Sequence, residues 1–194
     1  MTELCELGLK YGADKSPAVV HMYTPAYYEY FKDMRNSVKK VFEMGIGNRA
    51  QAHMVGRLGL YFVMGPSLRM WRDFFPNAMI YGADIDTKSL FTDDRIKTYY
   101  CNEDNDEEVK KLIEEIGSDI DIVIDDGNHG VGHQIHLCQT LMPLLKKDVM
   151  YFIEDSRDVG RVCAALPEYD CTPIKLQANV KYPGGDRLIL VRNK

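Results

Sequence analysis

Asp121-Ile-Val-Ile-Asp-Asp-Gly-Asn-His129 decides how this chain is read, and Tyr151-Phe-Ile-Glu-Asp155 repeats its pattern. In both, a short β-branched or aromatic apolar run, of the kind that fills a buried parallel strand, stops at two adjacent acids. The acids therefore sit at strand carboxyl ends. One helix-like segment separates the two runs, so a right-handed crossover is expected to join them, with both ends opening on one edge of one sheet. That edge is where open α/β sheets bind ligands.

Asp125, Asp126, Glu154 and Asp155 gathered at one rim repel one another unless a cation is held there or some stay protonated. A hard divalent cation resolves this most simply, and carboxylates with no neighbouring cysteine suit Mg²⁺ or Mn²⁺ rather than zinc. His129 follows across a Gly-Asn turn, within reach of the same cavity as a proton acceptor near neutral pH. An ordinary reading competes: Asp-Gly and Asn end strands because they form turns, and a lone Asp-Asp pair is more often a solvated loop. Two such pairs with a histidine favour a functional site.

The 194 residues suffice for one well-buried domain and are short for two. Hydrophobic residues at 45% and charged residues at 27% are ordinary for a soluble globular protein. With a net charge of −5 and no Lys/Arg block longer than two, neither a nucleic-acid footprint nor a polybasic membrane patch is expected. No apolar run approaches the ~20 residues of a spanning helix, and acids stand where a signal peptide would be basic and then apolar. Cys5, Cys101, Cys138, Cys163 and Cys171 form no Cys-x-x-Cys pair and read as reduced, mostly buried residues. A cytoplasmic protein is expected.

The opening segment, residues 1–36, is rich in tyrosine and helical in parts. Pro25 suits a helix start, after which Tyr27, Tyr30 and Phe31 recur at helical spacing, as in a helix that covers the sheet. For Tyr11 to Tyr23, with Lys15 and His21, a lid or substrate-contacting loop competes evenly with simple packing, since aromatic faces favour cationic ligands. Residues 37–194 form the main domain, one globular unit with the opening segment. A first strand runs from Val38 into Glu43-Met-Gly45-Ile-Gly47, where glycines let the backbone approach a nucleotide. Gly45, Gly47 and Ala50 satisfy the loose dinucleotide pattern, but residues 48–70 contain no acid to hold a nicotinamide ribose. Residues 48–66 read as an inserted lid or flap, with a short extra helix nearly as good a reading. A helix then starts at Gly65-Pro66-Ser67 and carries Leu68, Trp71, Phe74 and Phe75 on its apolar side.

Ala78 to Asp86 is the second strand, and Asp84 at its carboxyl end can accept hydrogen bonds from ribose hydroxyls. Ile96 to Cys101 reads as the third strand, followed by Asn102-Glu103-Asp104, which doubles as a helix-capping cluster. Val109, Leu112, Ile113 and Ile116 form a buried helical stripe that Gly117 ends. After the central motif come a helix over His133 to Leu145, a strand over Val149 to Ile153 and a helix marked by Val159, Val162, Cys163 and Leu166. His133 and His136 read as surface or capping residues rather than ligands. Thr172 to Leu176 and Arg187 to Arg192, around Tyr182-Pro-Gly-Gly185, suit an antiparallel hairpin. The expected fold is α/β: a single Rossmann-like, doubly wound domain with a mainly parallel seven-stranded sheet and a C-terminal antiparallel hairpin.

Glu-x-Gly-x-Gly after the first strand, an acid after the second and a terminal hairpin resemble the class I S-adenosylmethionine-dependent methyltransferases. More narrowly, Tyr11-Gly-x-Asp14-Lys15, His21-x-Tyr23, Gly65-x-Ser67-Leu-Arg-Met-Trp71, Phe75-Pro-Asn-Ala78, Asp125-Asp126-Gly-Asn-His129, His133-Gln134 and Ile153-Glu154-Asp155 resemble the metal-dependent macrocin/mycinamicin-type sugar O-methyltransferases and the related cephalosporin-hydroxylase-like group. The resemblance implies that Glu43, Gly45, Gly47, Ser67, Asp84, Asn102 and Asp125 shape the S-adenosylmethionine pocket. It implies Asp126, Glu154 and Asp155 as Mg²⁺ (or Mn²⁺) ligands and His129 as general base. The family's short glycine loop is replaced here by residues 48–66, and its Gly-Asp-Gln-like adenine segment by Cys101-Asn102-Glu103.

The activity this implies is methyl transfer from S-adenosylmethionine to a hydroxyl of a sugar, in a glycan or a glycosylated metabolite, with vicinal hydroxyls presented to the metal. A catechol-type small-molecule O-methyltransferase is the same-fold alternative, because any vicinal diol chelates a metal. A nicotinamide-dependent or non-catalytic nucleotide-binding domain is the alternative from another class. A homo-oligomer is compatible with the sequence, which does not set the number of subunits.

Overall fold

The computed structural model describes residues 1–47, 63–178 and 185–194. Most of the expected 48–66 flap, and the Tyr182-Pro-Gly part of the hairpin turn, lie outside the described residues. Eight strands form one sheet: β1 Lys40–Met44, β2 Met79–Asp84, β3 Thr92–Asp93, β4 Ile96–Tyr100, β5 Ile122–Asp125, β6 Met150–Glu154, β7 Tyr169–Ile174 and β8 Leu188–Asn193, in the order β3-β4-β2-β1-β5-β6-β8-β7. The pairs from β4 through β6 are parallel, and β8 lies antiparallel between β6 and β7. The sheet exceeds the expected seven strands by β3, a two-residue antiparallel edge piece too short to leave a hydrophobic period in the sequence.

Strand side chains alternate between two helical layers. Val41, Ile122, Ile124, Phe152, Leu188 and Leu190 meet α1 (Glu3–Tyr11), α2 (Tyr23–Phe31) and α3 (Pro66–Phe74), while Phe42, Val123, Tyr151, Ile153, Ile189 and Val191 meet α4 (Asp106–Ile116), α5 (Val131–Leu141) and α6 (Val159–Ala165). The same parity sends Glu43 and Glu154 toward the first layer and Asp125 toward the second. The sequence-derived helix signals act as expected in two places. Pro66 stands in the first turn of α3, and Gly117, at φ 87°, ends α4. The cap of α4 is Asn105, whose side chain accepts from the N–H groups of Glu107 and Glu108; it lies just beyond the expected Asn102–Asp104 cluster.

The opening segment is part of the core. Tyr23, Tyr27 and Phe31 are fully buried, and Tyr27 packs edge-on to Trp71 and Phe152 at ring separations of 5.3 and 5.1 Å. β1 is flanked by β2 on one side and β5 on the other, so the chain reverses direction across the sheet there, and the crevice at that reversal lies beyond the carboxyl ends of β1 and β5.

Candidate active site

A cavity of about 390 Å³ opens at this reversal, lined by Gly45 and Gly47 after β1, Asp84 and Ile85 after β2, Cys101 to Asp104 after β4, and Asp126 to His129 after β5. Gly45 and Gly47 hold φ angles of 81° and 72°, a region that favours glycine. A Cβ on Gly45 would stand 2.1 Å from the Asp126 carbonyl oxygen, so only glycine lets the two loops meet. Asp84 accepts from the Ile46 N–H at 3.0 Å and the Asp86 N–H at 2.8 Å, which fixes its carboxylate at the cavity wall. Glu103 accepts from the Asn128 N–H at 2.9 Å; burial raises its pKa.

Of the residues expected around a cofactor, Gly45, Gly47, Asp84 and Asn102 line this cavity. Glu43, Ser67 and Asp125 stand behind it. Glu43 is buried and accepts from Ser67 Oγ at 2.6 Å and from Trp71 Nε1 at 2.5 Å. Asp125 points to the opposite face, where it accepts from the Tyr151 hydroxyl at 3.1 Å; burial raises its pKa. The parity of alternating strand residues explains the split: side chains at Glu43 and Asp125 belong to the layers, and the loop residues after them belong to the cavity.

Beside the cavity lies the acidic centre, and a lysine sits in it. Lys15, 1% exposed, donates to Asp126 Oδ2 at 2.5 Å and to Glu154 Oε2 at 2.8 Å, and stands 3.7 Å from Glu43 Oε1. Burial opposes its charge, but Asp126, Glu154 and Glu43 outweigh that and hold its pKa well above the usual lysine value. Burial in turn raises the carboxyls of Asp126, Glu154 and Glu43, against the pull of Lys15. Tyr27 donates to Glu154 Oε1 at 2.6 Å, so both Glu154 oxygens are engaged. Tyr23 donates to Asp155 Oδ1 at 2.5 Å while its oxygen accepts from the Asp155 and Arg187 N–H groups. Asp155 itself has φ 52°, a left-handed conformation that a non-glycine residue adopts at a cost of about 1–3 kcal/mol. Lys15, Tyr23 and Tyr27 thus wall the acidic centre; the sequence left Tyr11 to Tyr23 open between a lid and packing and read Tyr27 as a packing residue.

The outer acids suit a divalent cation. Donor atoms of Asp126, His129 and Asp155 all lie within 4.8 Å of one another, an oxygen-rich set with one imidazole. One ammonium against four acids leaves the centre acidic, which is the charge balance such an ion would complete. His129 Nε2 lies 3.9 Å from Asp155 Oδ2, and its buried Nδ1 has no protein partner among the described residues. Partial burial lowers the His129 pKa against the opposing pull of Asp155, which favours an imidazole able to accept a proton. His133 and His136 pair instead with Asp104 and Asp106 on the half-exposed face of α5.

A rhamnosyl-tetracenomycin 2'-O-methyltransferase from Streptomyces olivaceus is 34% identical over 78% of this chain and 37% of its own length. Mycinamicin VI 2''-O-methyltransferase from Micromonospora griseorubida is 35% identical over 79% of this chain and 36% of its own. The chain is a relative of the macrocin/mycinamicin-type sugar O-methyltransferases. Among solved structures, this sugar O-methyltransferase relative superposes on the MycE methyltransferase of the mycinamycin biosynthetic pathway, solved with Mg, SAH and mycinamycin VI, with a TM-score of 0.73 and 26% identity, over 99% of this chain and 54% of that one. The fold is that of the class I methyltransferases. The chain spans little more than a third of the length of the two sequence relatives. No family model matches it.

Sequence reasoning left Lys15 and Tyr23 open between a lid and packing, read Tyr27 and Trp71 as packing residues, and did not find that Tyr23, Tyr27, Trp71 and Gln134 hydrogen-bond to the acids or backbone at the strand ends. Gln134 is buried on α5 and donates to the Glu154 carbonyl at 2.8 Å. The available signal was that Lys15, Tyr23, Trp71 and Gln134 fall in motifs of the resemblance, and nothing in their spacing revealed that Lys15 folds back over a hundred residues to Asp126.

Proposed function

We propose that the chain carries a metal-dependent O-methyltransferase activity that transfers the methyl group of S-adenosylmethionine to a sugar hydroxyl of a glycan or glycosylated metabolite. The observation that carries this is the shared loop: Asp126 and His129 line the nucleotide-sized cavity and also face Asp155 in the acidic centre. Cofactor and acceptor would then meet at one loop, which is what in-line transfer requires.

Gly45, Gly47, Asp84 and Asn102 would hold the cofactor, with Glu43, Ser67 and Asp125 supporting the strand ends behind them. Asp126 and Asp155 would hold Mg²⁺ or Mn²⁺, and Glu154, expected as the third carboxylate, would join them by exchanging its Lys15 or Tyr27 contact for the ion. S-adenosylmethionine supplies an activated methyl group, and the divalent ion lowers the pKa of a bound hydroxyl. His129 would take the hydroxyl proton at Nε2. The similarity to a rhamnosyl-tetracenomycin 2'-O-methyltransferase supports a sugar acceptor, and two carboxylates beside a base suit vicinal hydroxyls in general. A cytoplasmic setting is part of this reading, supported by five free cysteines; among the described residues no helix is long and apolar enough to cross a membrane. A homo-oligomer is compatible with it, and the net charge of −5 gives nucleic acid no part.

Calorimetric titration with S-adenosylmethionine, with NAD as control and Mg²⁺ present or chelated, tests the cofactor. Saturable binding of S-adenosylmethionine alone is expected, and binding of neither would overturn the proposal. A panel of glycosylated acceptors against catechols then separates the sugar reading from the catechol one.

A further inference from the structure

We propose that Lys15 is a resident cation of the acidic centre: its ammonium keeps Asp126 and Glu154 together before a divalent ion arrives, and ion binding works against it. The inference rests on reading Asp126 and Asp155 as ion-holding carboxylates. Lys15 is 1% exposed and its nearest charged neighbours are oxygens of Asp126, Glu154 and Glu43, at 2.5, 2.8 and 3.7 Å. An ammonium so placed has no solvent to share its charge with; of the acids it meets, Glu43 and Glu154 are buried and Asp126 is 21% exposed at the cavity wall. The surrounding donors are shaped to the same end. Tyr27 occupies the second oxygen of Glu154 and Tyr23 one oxygen of Asp155, so side chains from the same opening segment as Lys15 also orient these acids.

Two consequences follow for a divalent ion. Removing the ammonium destabilises the ion-free centre more than the ion-bound one, and it removes like-charge repulsion from a cation bound at the adjoining oxygens of Asp126. Both raise affinity for the ion. A lysine that only positioned Asp126 would act in the opposite direction, because its loss would disorder a ligand.

Mn²⁺ binding, read from the electron paramagnetic resonance signal of the free ion, separates these roles in the intact chain. Lys15→Met is expected to bind Mn²⁺ several-fold more tightly than wild type and to gain more in melting temperature from added Mg²⁺. Lys15→Arg, which restores the charge, is expected to return both towards wild type. Equal or weaker Mn²⁺ binding by Lys15→Met would overturn the inference. Wild type alone supplies a second check if the methionine variant does not fold: stripping divalent ions with a chelator is expected to leave its cooperative melting intact, and loss of that transition would also overturn the inference. Absence of Mn²⁺ binding in both wild type and Lys15→Met would instead remove the ion site itself, leaving the S-adenosylmethionine titration to decide the cofactor separately.

Discussion

His129 stands where the cavity beyond β1 and β5 meets the acidic centre, and partial burial lowers its pKa. His129→Ala is expected to lower kcat by about 10²–10⁴-fold, the usual yield of a positioned base, while calorimetry shows S-adenosylmethionine binding retained; unchanged turnover would remove it as base. Gly45 is the other decisive residue. Gly45→Ala combines a left-handed backbone, worth roughly 1–2 kcal/mol against alanine, with a clash against the Asp126 carbonyl, which belongs to backbone and cannot swing aside. Denaturant unfolding should show a loss larger than the conformational cost alone, and S-adenosylmethionine binding should weaken with it. Wild-type stability and affinity in this variant would mean that the loops after β1 and β5 are free to part.

Between α1 and α3 the packing is polar at one end. Lys10 and Tyr11 on α1 and Arg72 on α3 converge on Asp73, with Lys10 Nζ and Tyr11 Oη donating at 2.8 and 2.5 Å. Burial alone would raise the Asp73 carboxyl, but these hydrogen bonds from Lys10, Tyr11 and Arg72 outweigh it and bring the pKa down to about 2. Because the folded pKa lies below the unfolded one of about 3.9, the clamp stabilises above pH 4 and its contribution disappears as pH falls toward 2. Asp73 is 24% exposed, so solvent screening reduces the linkage figure to on the order of 1–2 kcal/mol. Asp73→Asn should therefore be less stable than wild type in urea at pH 7, and the gap should narrow steadily below pH 4 as the pH falls toward the folded pKa of about 2. A gap of constant size across that range would show that the carboxylate charge contributes nothing.

At the scale of the whole molecule, the opening segment is inseparable from the rest. Leu4, Tyr23, Tyr27 and Phe31 fill the layer over β1, β5 and β6, and at roughly 1.5–3 kcal/mol for each buried side chain their burial is comparable with the entire stability of a domain. Deleting residues 2–36 is expected to abolish the cooperative urea transition and the near-ultraviolet circular dichroism of the core; a truncated chain that still melts cooperatively would make the segment an appendage. Much of this architecture was legible beforehand. The apolar runs ending at Asp125 and Glu154 identified adjacent parallel strands, and Glu43-Met-Gly45-Ile-Gly47 with Asp84 located the cavity, because burial on both faces and close backbone approach leave periodicity and glycine as local traces. What the amino-acid order alone determined was which residues stand at the strand ends and in the turns that follow. Which acids face the cavity and which are turned away, and which cation meets them, was decided only in three dimensions. Asp125 and Asp126 are neighbours in the chain yet serve opposite sides of the sheet, while Lys15 reaches Asp126 across the fold. The physical reason is that a buried charge must find its partner wherever the packed layers bring one, and that pairing leaves no trace in local spacing.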